Sequence, residues 1–313
     1  MFFHKTYSGK NDFYLIIFAV SLLFTLQAQA ATASQQIYPQ DLTHFPEGLI
    51  PQKFRMAEDL CVSGSHQFTE PEFQILLRTI PHKNITIVDL REEPHFMAFM
   101  TETASVTGPK VNAYNGLTSK EIQRLENGFT ARFPAYQTEK TCVEGLGMRY
   151  LRIPVTDVTR PEDSDVDTFI TFLRSIEGQN NWLHFHCLAG QGRTTTFMAM
   201  SEMIKTAASK DTCLEDILDR HHQMGGANLK NMWYSCSKTQ WLNFLRNFYD
   251  YAENGFHKGM LWSQWVSEKG LQAFQQQPSI TSWWSLKGFS SYGRCAAMLF
   301  FMRGLQLYRA VMN

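Results

Sequence analysis

Residues 182–195 read WLHFHCLAGQGRTT. The first part, residues 182–186, has the composition of a buried strand, and the residues from Thr194 to about Lys205 are predicted to form a helix. Gly190 and Gly192 lie between them and allow the backbone to turn sharply. A strand that leads through a glycine-rich turn into a helix is typical of an α/β fold.

The glycine-rich turn has the features of an anion-binding loop. Its N–H groups point inward, and the helix that follows directs its positive end at the same place. Arg193 can bind two phosphate oxygens at once, and these positive groups favour the thiolate form of Cys187, which is the nucleophile. A buried cysteine beside a surface arginine is the alternative, but the number of matching positions argues against it. The residues of the candidate loop are His186, Cys187, Leu188, Ala189, Gly190, Gln191, Gly192, Arg193 and Thr194.

The rest of the chain continues the α/β pattern. Strands are predicted at residues 85–90 and 150–154, and a helix with one apolar face at residues 166–176. Two further helices begin at capping boxes, which start at Thr69 and Thr118. We therefore expect a central mixed sheet flanked by helices.

Composition excludes several classes of protein. The chain has 313 residues, of which 44% are hydrophobic, and this rules out a disordered chain and a small disulfide scaffold. Lys+Arg and Asp+Glu both number 29, so there is no overall positive charge to hold nucleic acid. The six cysteines have no zinc-finger spacing, and no metal site is predicted.

The two ends of the chain are expected to lie outside the catalytic domain. Lys5 and Lys10 precede an apolar run, residues 13–26, and Ala28-Gln29-Ala30 resembles a cleavage site. We predict a signal peptide at residues 1–30, followed by export without a stable membrane span. Residues 270–313 are expected to form an extension of unknown role.

Asp157 is the candidate proton donor. It lies in a predicted loop between a strand and a helix, and Pro154 and Pro161 flank that loop. A loop of this kind can act as a lid that carries an acid to the leaving group. A solvated loop aspartate is the alternative, and the position of Asp157 relative to the cysteine loop favours catalysis.

These residues together resemble the protein-tyrosine-phosphatase-like (PTP-like) cysteine phytases of bacteria. The resemblance rests on the cysteine loop, Phe54-Arg55, the Thr-Asp of the acid loop, and the Asp-Leu-Arg-Glu-Glu-Pro-His segment at residues 89–95. It extends from about Phe45 to Lys269, which implies a phosphatase domain at residues 31–269. Ordinary tyrosine phosphatases share the cysteine loop but not the Asp-Leu-Arg-Glu-Glu segment, which is therefore the more discriminating feature.

The resemblance implies a phosphatase without metal or cofactor that removes phosphates from myo-inositol hexakisphosphate (phytate) and lower inositol phosphates. We expect the protein to be a monomer. His186 would hold the loop, and Thr194 or Thr195 would stabilise the leaving thiolate. The pocket would be lined or supported by Arg55, Asp89, Arg91 and His95, with Lys230 and Lys238 as weaker candidates for outer phosphate contacts. Val158 stands where many members of the family have His, and Arg160 is expected to supply a substitute contact.

Two alternatives remain open. One is a protein tyrosine phosphatase that acts on host phosphoproteins or phosphoinositides after export. The other is a phosphate-binding pseudoenzyme, which the presence of Cys187, Arg193 and Asp157 together disfavours. The sequence fits a periplasmic enzyme, a secreted enzyme and a protein delivered to a host cell equally well.

Overall fold

The computed structural model describes residues 42–44, 50–98, 104–107, 116–206, 212–232 and 238–275. Contacts divide the chain into a compact unit of residues 1–277 and a second unit of residues 278–313, and every described residue belongs to the first. The predicted signal peptide and the part of the predicted extension beyond residue 275 lie outside the described residues.

The strands of the described part form two sheets. They are β1 (Leu42–His44), β2 (Arg55–Ala57), β3 (Val62–His66), β4 (Ile85–Arg91), β5 (His95–Ala98), β6 (Ala104–Thr107), β7 (Tyr136–Thr138), β8 (Arg149–Val155) and β9 (Trp182–Cys187). The central sheet is mixed, as the sequence predicts: its order is β2-β3-β9-β4-β8, and only β2 is antiparallel to its neighbour. An antiparallel sheet of order β1-β6-β5-β7 was not expected.

The helices of the described part lie on both faces of the central sheet. They are α1 (Glu70–Thr79), α2 (Ser119–Arg132), α3 (Glu139–Gly145), α4 (Asp163–Ser175), α5 (Gly192–Thr206), α6 (Leu214–Gln223), α7 (Lys238–Asn254) and α8 (Trp262–Glu268). Both predicted capping boxes are confirmed, since the side chains of Thr69 and Thr118 each exchange hydrogen bonds with a glutamate three residues later. Each of these helices is too short or too polar to cross a lipid bilayer.

The central strands have two buried faces because side chains alternate along a strand. Ile85 and Ile87 of β4 belong to a cluster with residues of α1 and α3. Val88 and Leu90 belong to the larger core, which includes residues of α4 to α8. The buried sheet thus places functional side chains at its edge without exposing the strands to water.

Parallel pairing brings the carboxyl ends of the strands to one edge. His66 of β3 is paired with Cys187 of β9, and Asp89 of β4 lies between His186 of β9 and Arg152 of β8. Residues from distant parts of the sequence therefore meet where β9 enters the glycine-rich turn, which is where open α/β sheets bind ligands.

Candidate active site

Cys187 is the last residue of β9 and is only 3% exposed. The hydroxyl of Thr194 donates a hydrogen bond to its sulfur at 3.2 Å. The helix after the turn, α5, begins at Gly192, two residues before its predicted start, so its N-terminus lies directly behind the loop. This geometry surrounds the sulfur with a hydroxyl donor and the positive end of a helix, which both stabilise a thiolate.

Gly190 fits the loop against the neighbouring strand. Its φ of 63° is in the left-handed region, and a Cβ atom at this position would lie 2.7 Å from the carbonyl oxygen of Ser65. The N–H of Gln67 donates to the carbonyl of Leu188 and so joins the loop to the residues after β3. Any side chain at residue 190 would push the loop away from the sheet.

Arg193 is the buried cation of the loop. Its guanidinium donates to both carboxylate oxygens of Glu93, at 3.0 and 3.1 Å, and to the carbonyl of Val155 at 3.0 Å. Burial alone would lower the pKa of Arg193, but Glu93, Cys187 and Asp157 raise it well above its usual value. Arg193 is therefore held as a permanent positive charge beside the sulfur.

Arg55 supplies a second guanidinium at the same place. It is buried on β2 and donates to the hydroxyl of Thr195 at 3.0 Å, and Thr195 also accepts from the N–H of Ala227. Burial lowers the pKa of Arg55 to about 10, and the charge of Cys187 opposes this shift. Of the two threonines considered for the thiolate, Thr194 contacts the sulfur, whereas Thr195 holds Arg55.

Three buried side-chain nitrogens of the loop and of Arg55 have no hydrogen-bond partner among the described residues. They are Nε of Arg193, Nε of Arg55 and Nε2 of Gln191. Because an unpaired buried donor is costly, an anion that enters the loop gains hydrogen bonds that the free protein lacks. The arrangement fits a phosphate group.

Asp157 lies on the loop after β8, and one of its carboxylate oxygens is 3.1 Å from Arg193 Nη2. Its side chain is 56% exposed, so it forms the outer wall of the site. The structure thus brings Asp157 to the loop that carries Arg193 and Cys187, so that two separate segments supply the acid, the anion holder and the nucleophile that the sequence predicts.

Arg160 does not face the site, and the expectation that it replaces a phosphate contact is wrong. Its side chain is buried, donates to the carbonyl of Pro161 at 3.0 Å and to Asp163 at 3.1 Å, and lies over the rings of Phe244 and Phe274. Val158, the residue after the acid, is 39% exposed and has a φ of 58°.

A buried polar network lies behind the loop. Glu139 at the start of α3 binds His186 with one carboxylate oxygen, at 2.7 Å, and His95 with the other, at 2.8 Å. Asp89 accepts from the hydroxyl of Tyr150 and from Arg152. All of these side chains are largely or fully buried, so Asp89 and His95 support the loop from behind rather than line its open side.

The charges of this network shift one another's pKa values. Burial would raise the pKa of Asp89, but Arg152, His95 and His186 hold it far below its usual range. Burial would lower the pKa of His95, but Asp89 and Glu139 raise it. Ligand-type atoms of Asp89, His95 and Glu139 lie within 4.8 Å of one another, yet the neighbouring Arg152 already supplies the positive charge that a metal would bring.

Two glutamates beside the loop have opposite behaviour. Glu93 binds both Arg193 and Arg91, and these cations lower its pKa to about 2 despite its burial. Burial raises the pKa of Glu92 to about 8, although hydrogen bonds from Gly116 and Thr156 oppose the shift. Glu92 is therefore protonated at neutral pH, and Arg91 is a buried neighbour of Glu93 rather than an exposed contact.

The outer lysines are not brought to the loop by any described contact. Lys230 forms an ion pair with Asp219 and is 37% exposed, which fits a surface role. The side chain of Lys238 lies outside the described part of the structure.

Sequence reasoning missed Glu93 as the partner of Arg193 and Glu139 as the partner of His186. Glu93 lies inside a segment already singled out, and two adjacent acids after a buried strand were its signal. Glu139 had a weaker signal, an acid at the first turn of a short helix after Thr138. Arg152, a charged residue inside an apolar strand, was the visible sign of a buried partner.

A family model for PTP-like phytases, described as "Inositol hexakisphosphate", matches residues 100–205. The structure is similar to that of a tandemly repeated PTP-like phytase from Mitsuokella multacida, with a TM-score of 0.63 and 27% identity over 72% of this chain and 48% of that one. A PTP-like myo-inositol phosphatase from the same organism, solved in complex with myo-inositol-(1,3,4,5)-tetrakisphosphate, is similar to the same extent.

Two further proteins are similar over different lengths. A PTP-like phytase from Bdellovibrio bacteriovorus has a TM-score of 0.59 and 29% identity, over 70% of this chain and 90% of that one. The effector protein hopD2 of Pseudomonas syringae pv. tomato is 30% identical over 143 residues, or 44% of this chain. This chain spans 30% of hopD2 and about half of the Mitsuokella protein.

Proposed function

Because the chain belongs to the family of PTP-like phytases, we propose that it hydrolyses phosphate monoesters of myo-inositol hexakisphosphate and of lower inositol phosphates. The observation that carries the proposal is the meeting of Cys187, Arg193 and Asp157 within one loop cluster. The Mitsuokella relative, which binds an inositol tetrakisphosphate, supports the substrate class.

In the first step, the thiolate of Cys187 attacks phosphorus and the bond to the inositol oxygen breaks. Arg193 and the loop N–H groups hold the equatorial phosphate oxygens, where negative charge is concentrated in the transition state. Asp157 gives its proton to the leaving oxygen, so inositol departs as an alcohol. A phosphate oxygen takes the place that the Asp157 carboxylate occupies on Arg193 in the free protein, and this frees the acid for proton transfer.

In the second step, water attacks the phosphorus of the cysteinyl-phosphate and the bond to sulfur breaks. Asp157, now ionised, removes the proton from water. The hydroxyl of Thr194, 3.2 Å from the sulfur, stabilises the thiolate that leaves. His186, with its ring fixed by Glu139, holds the end of β9 in position during both steps.

The test is phosphate release from inositol hexakisphosphate and from a phosphotyrosine peptide, measured in parallel with a chelator present. We expect release from the inositol substrate, its abolition in Cys187→Ser and a loss of about 10²-fold or more in Asp157→Asn. Cys213→Ser, the same change at an exposed cysteine that directly precedes α6, is the matched control and should remain fully active.

Three outcomes would overturn the proposal. Activity that survives Cys187→Ser excludes a cysteinyl-phosphate intermediate. A strong preference for the peptide makes the chain a tyrosine phosphatase, the main alternative from the sequence. Loss of activity on adding the chelator would show a metal requirement that the mechanism does not contain.

We also propose that residues 1–30 direct export and that the monomer is sufficient for activity. One relative is named an effector protein, which supports a role outside the producing cell. Cys187, Arg193 and Asp157 meet within one copy of the chain, so the proposed chemistry needs no residue of a second copy. Mass analysis of the N-terminus in the exported fraction and size-exclusion chromatography of the active protein test the two statements.

A further inference from the structure

The far end of the acid loop is fixed by an unusual concentration of contacts. Arg160, three residues after Asp157, lies 4.0 Å from the ring centre of Phe274 and 4.9 Å from that of Phe244. Its guanidinium donates to Asp163, the first residue of α4. A buried arginine between two aromatic faces and a carboxylate is held firmly, because all three contacts are lost if it moves.

Asp163 links Arg160 to Trp262 and to Phe274, and Phe274 lies beyond the predicted domain. Its carboxylate accepts from Trp262 Nε1 at 2.8 Å and from the N–H of Phe274 at 2.7 Å. The N–H of Asp163 in turn donates to the carbonyl of Phe274 at 3.1 Å. Residues 271–275 therefore form a strap across the base of the acid loop, although they follow the predicted domain end at Lys269.

The loop between the acid and the strap is strained. Val158 has a φ of 58°, in the left-handed region, which a β-branched side chain rarely adopts. Such a conformation persists only where the surrounding structure imposes it. Here Asp157 is held on one side by Arg193 and Arg160 on the other by the strap, so the strained residue lies between two fixed points.

We propose that Phe274 and Arg160 are positioning residues that hold the acid loop in the conformation that places Asp157 on the phosphate. This inference rests on the proposed phosphatase function and adds residues 271–275 to the machinery of the reaction. Neither residue touches the substrate: Phe274 acts on Arg160, and Arg160 acts on the backbone that carries Asp157.

The proposal predicts a dependence on the leaving group. An inositol alkoxide is a poor leaving group and needs the proton of Asp157, whereas an acidic phenol such as p-nitrophenol leaves without one. A change that misplaces Asp157 therefore slows hydrolysis of inositol hexakisphosphate much more than that of p-nitrophenyl phosphate. A change that only loosens the fold slows both reactions together.

The experiment compares Phe274→Ala and the milder Phe274→Leu with the parent, in the full chain and on both substrates. We expect kcat for inositol hexakisphosphate to fall by about 10-fold or more in Phe274→Ala, a part of the 10²–10⁴-fold that an acid supplies, with little change in KM. For p-nitrophenyl phosphate we expect a fall of less than about threefold, since proton donation contributes little there. Phe274→Tyr keeps an aromatic face for Arg160, so its kcat on both substrates should equal that of the parent.

Phe256→Ala is the matched control. Phe256 packs against Arg174 at 5.1 Å in the same manner, at the other end of α4 and away from the acid loop. Phe256→Ala should leave the rates on both substrates unchanged. Its change in Tm measures how much stability is lost with an arginine–aromatic contact of this kind. Equal loss on both substrates in Phe274→Ala, or no loss on either, overturns the positioning role. An inactive parent on both substrates instead refutes the proposed function.

Discussion

The two faces of β9 differ in chemistry, although their residues alternate along one strand. Phe185 and Cys187 face the apolar core. His184 and His186 face the opposite layer, where hydroxyls of Ser63 and Ser65 and the carboxylate of Glu139 hold them. The first face is stabilised by packing, which depends on volume, and the second by paired polar groups, which depend on every partner. The loop that carries the sulfur rests on both.

The largest expected effect comes from breaking the polar face. Glu139→Ala removes the partner of both His186 and His95 and leaves unpaired groups in a fully buried site. We expect a loss of roughly 3–5 kcal/mol in the free energy of unfolding, measured with urea. Glu139→Gln, which keeps one donor and one acceptor, should lose less. Equal stability of Glu139→Ala and the parent would mean that the network adds nothing to the fold.

The second prediction concerns Glu92, whose replacement by Gln should raise the free energy of unfolding at alkaline pH. The pKa of Glu92 is about 8 in the folded protein, above its ordinary value of 4.5. Its contribution to stability is therefore complete below about pH 4.5 and disappears as pH rises through 8. Glu92→Gln cannot ionise, so we expect it to exceed the parent by roughly 2–4 kcal/mol at pH 8 and to match it near pH 4.5.

Thermal unfolding of Glu92→Gln and the parent between pH 4.5 and 8 measures this difference. Glu177→Gln, the same change at an exposed position, should follow the parent at every pH. A constant difference between Glu92→Gln and the parent across this range would show that folding does not raise the pKa of Glu92.

The apolar face should respond weakly to a change that keeps volume. Met203 is fully buried on α5, within the core that backs Cys187, and lies nine residues after Thr194, the last residue of the loop. We expect Met203→Leu to lose less than about 1.5 kcal/mol and to keep its phosphatase rate. A loss as large as that of Glu139→Ala would erase the distinction between the two faces.

The smallest effect is expected at the surface of the same helix that carries Glu139. Glu144 is 51% exposed and its carboxylate lies 3.9 Å from Lys140. Glu144→Ala should change the free energy of unfolding by about 0.5 kcal/mol or less, and salt should remove the difference. Comparison with Glu139→Ala isolates burial as the variable, because the residue type, the helix and the substitution are the same.

The sequence predicts those parts of the structure that local patterns determine. The order of strands and helices follows from apolar periodicity, the capping boxes fix two helix starts, and the glycine-rich turn identifies the loop. The site residues on that loop could be named because their spacing is local. The antiparallel sheet was not predicted, since its strands have only three or four residues and carry little periodicity.

The other features that the sequence did not predict are contacts between residues far apart in the chain. Glu93 binds Arg193 across 100 residues of sequence, and Glu139 binds His186 across 47. The position of Arg160 close to Val158 in the acid loop predicts a contact with the substrate. In the structure Arg160 instead lies over the ring of Phe274, which is far along the chain. Such pairs are determined by the packing of whole elements, which no short segment encodes.

The ion pair between Asp157 and Arg193 has a consequence for turnover. In a chain that works as proposed, the acid occupies the guanidinium whenever phosphate is absent, so it competes with the inorganic phosphate formed at the end of each cycle. This competition lowers the affinity of the site for inorganic phosphate and so weakens inhibition by accumulated product. The carboxylate of Asp157, which helps to break the ester bond, thus also helps to keep Arg193 free of inorganic phosphate before the next substrate binds.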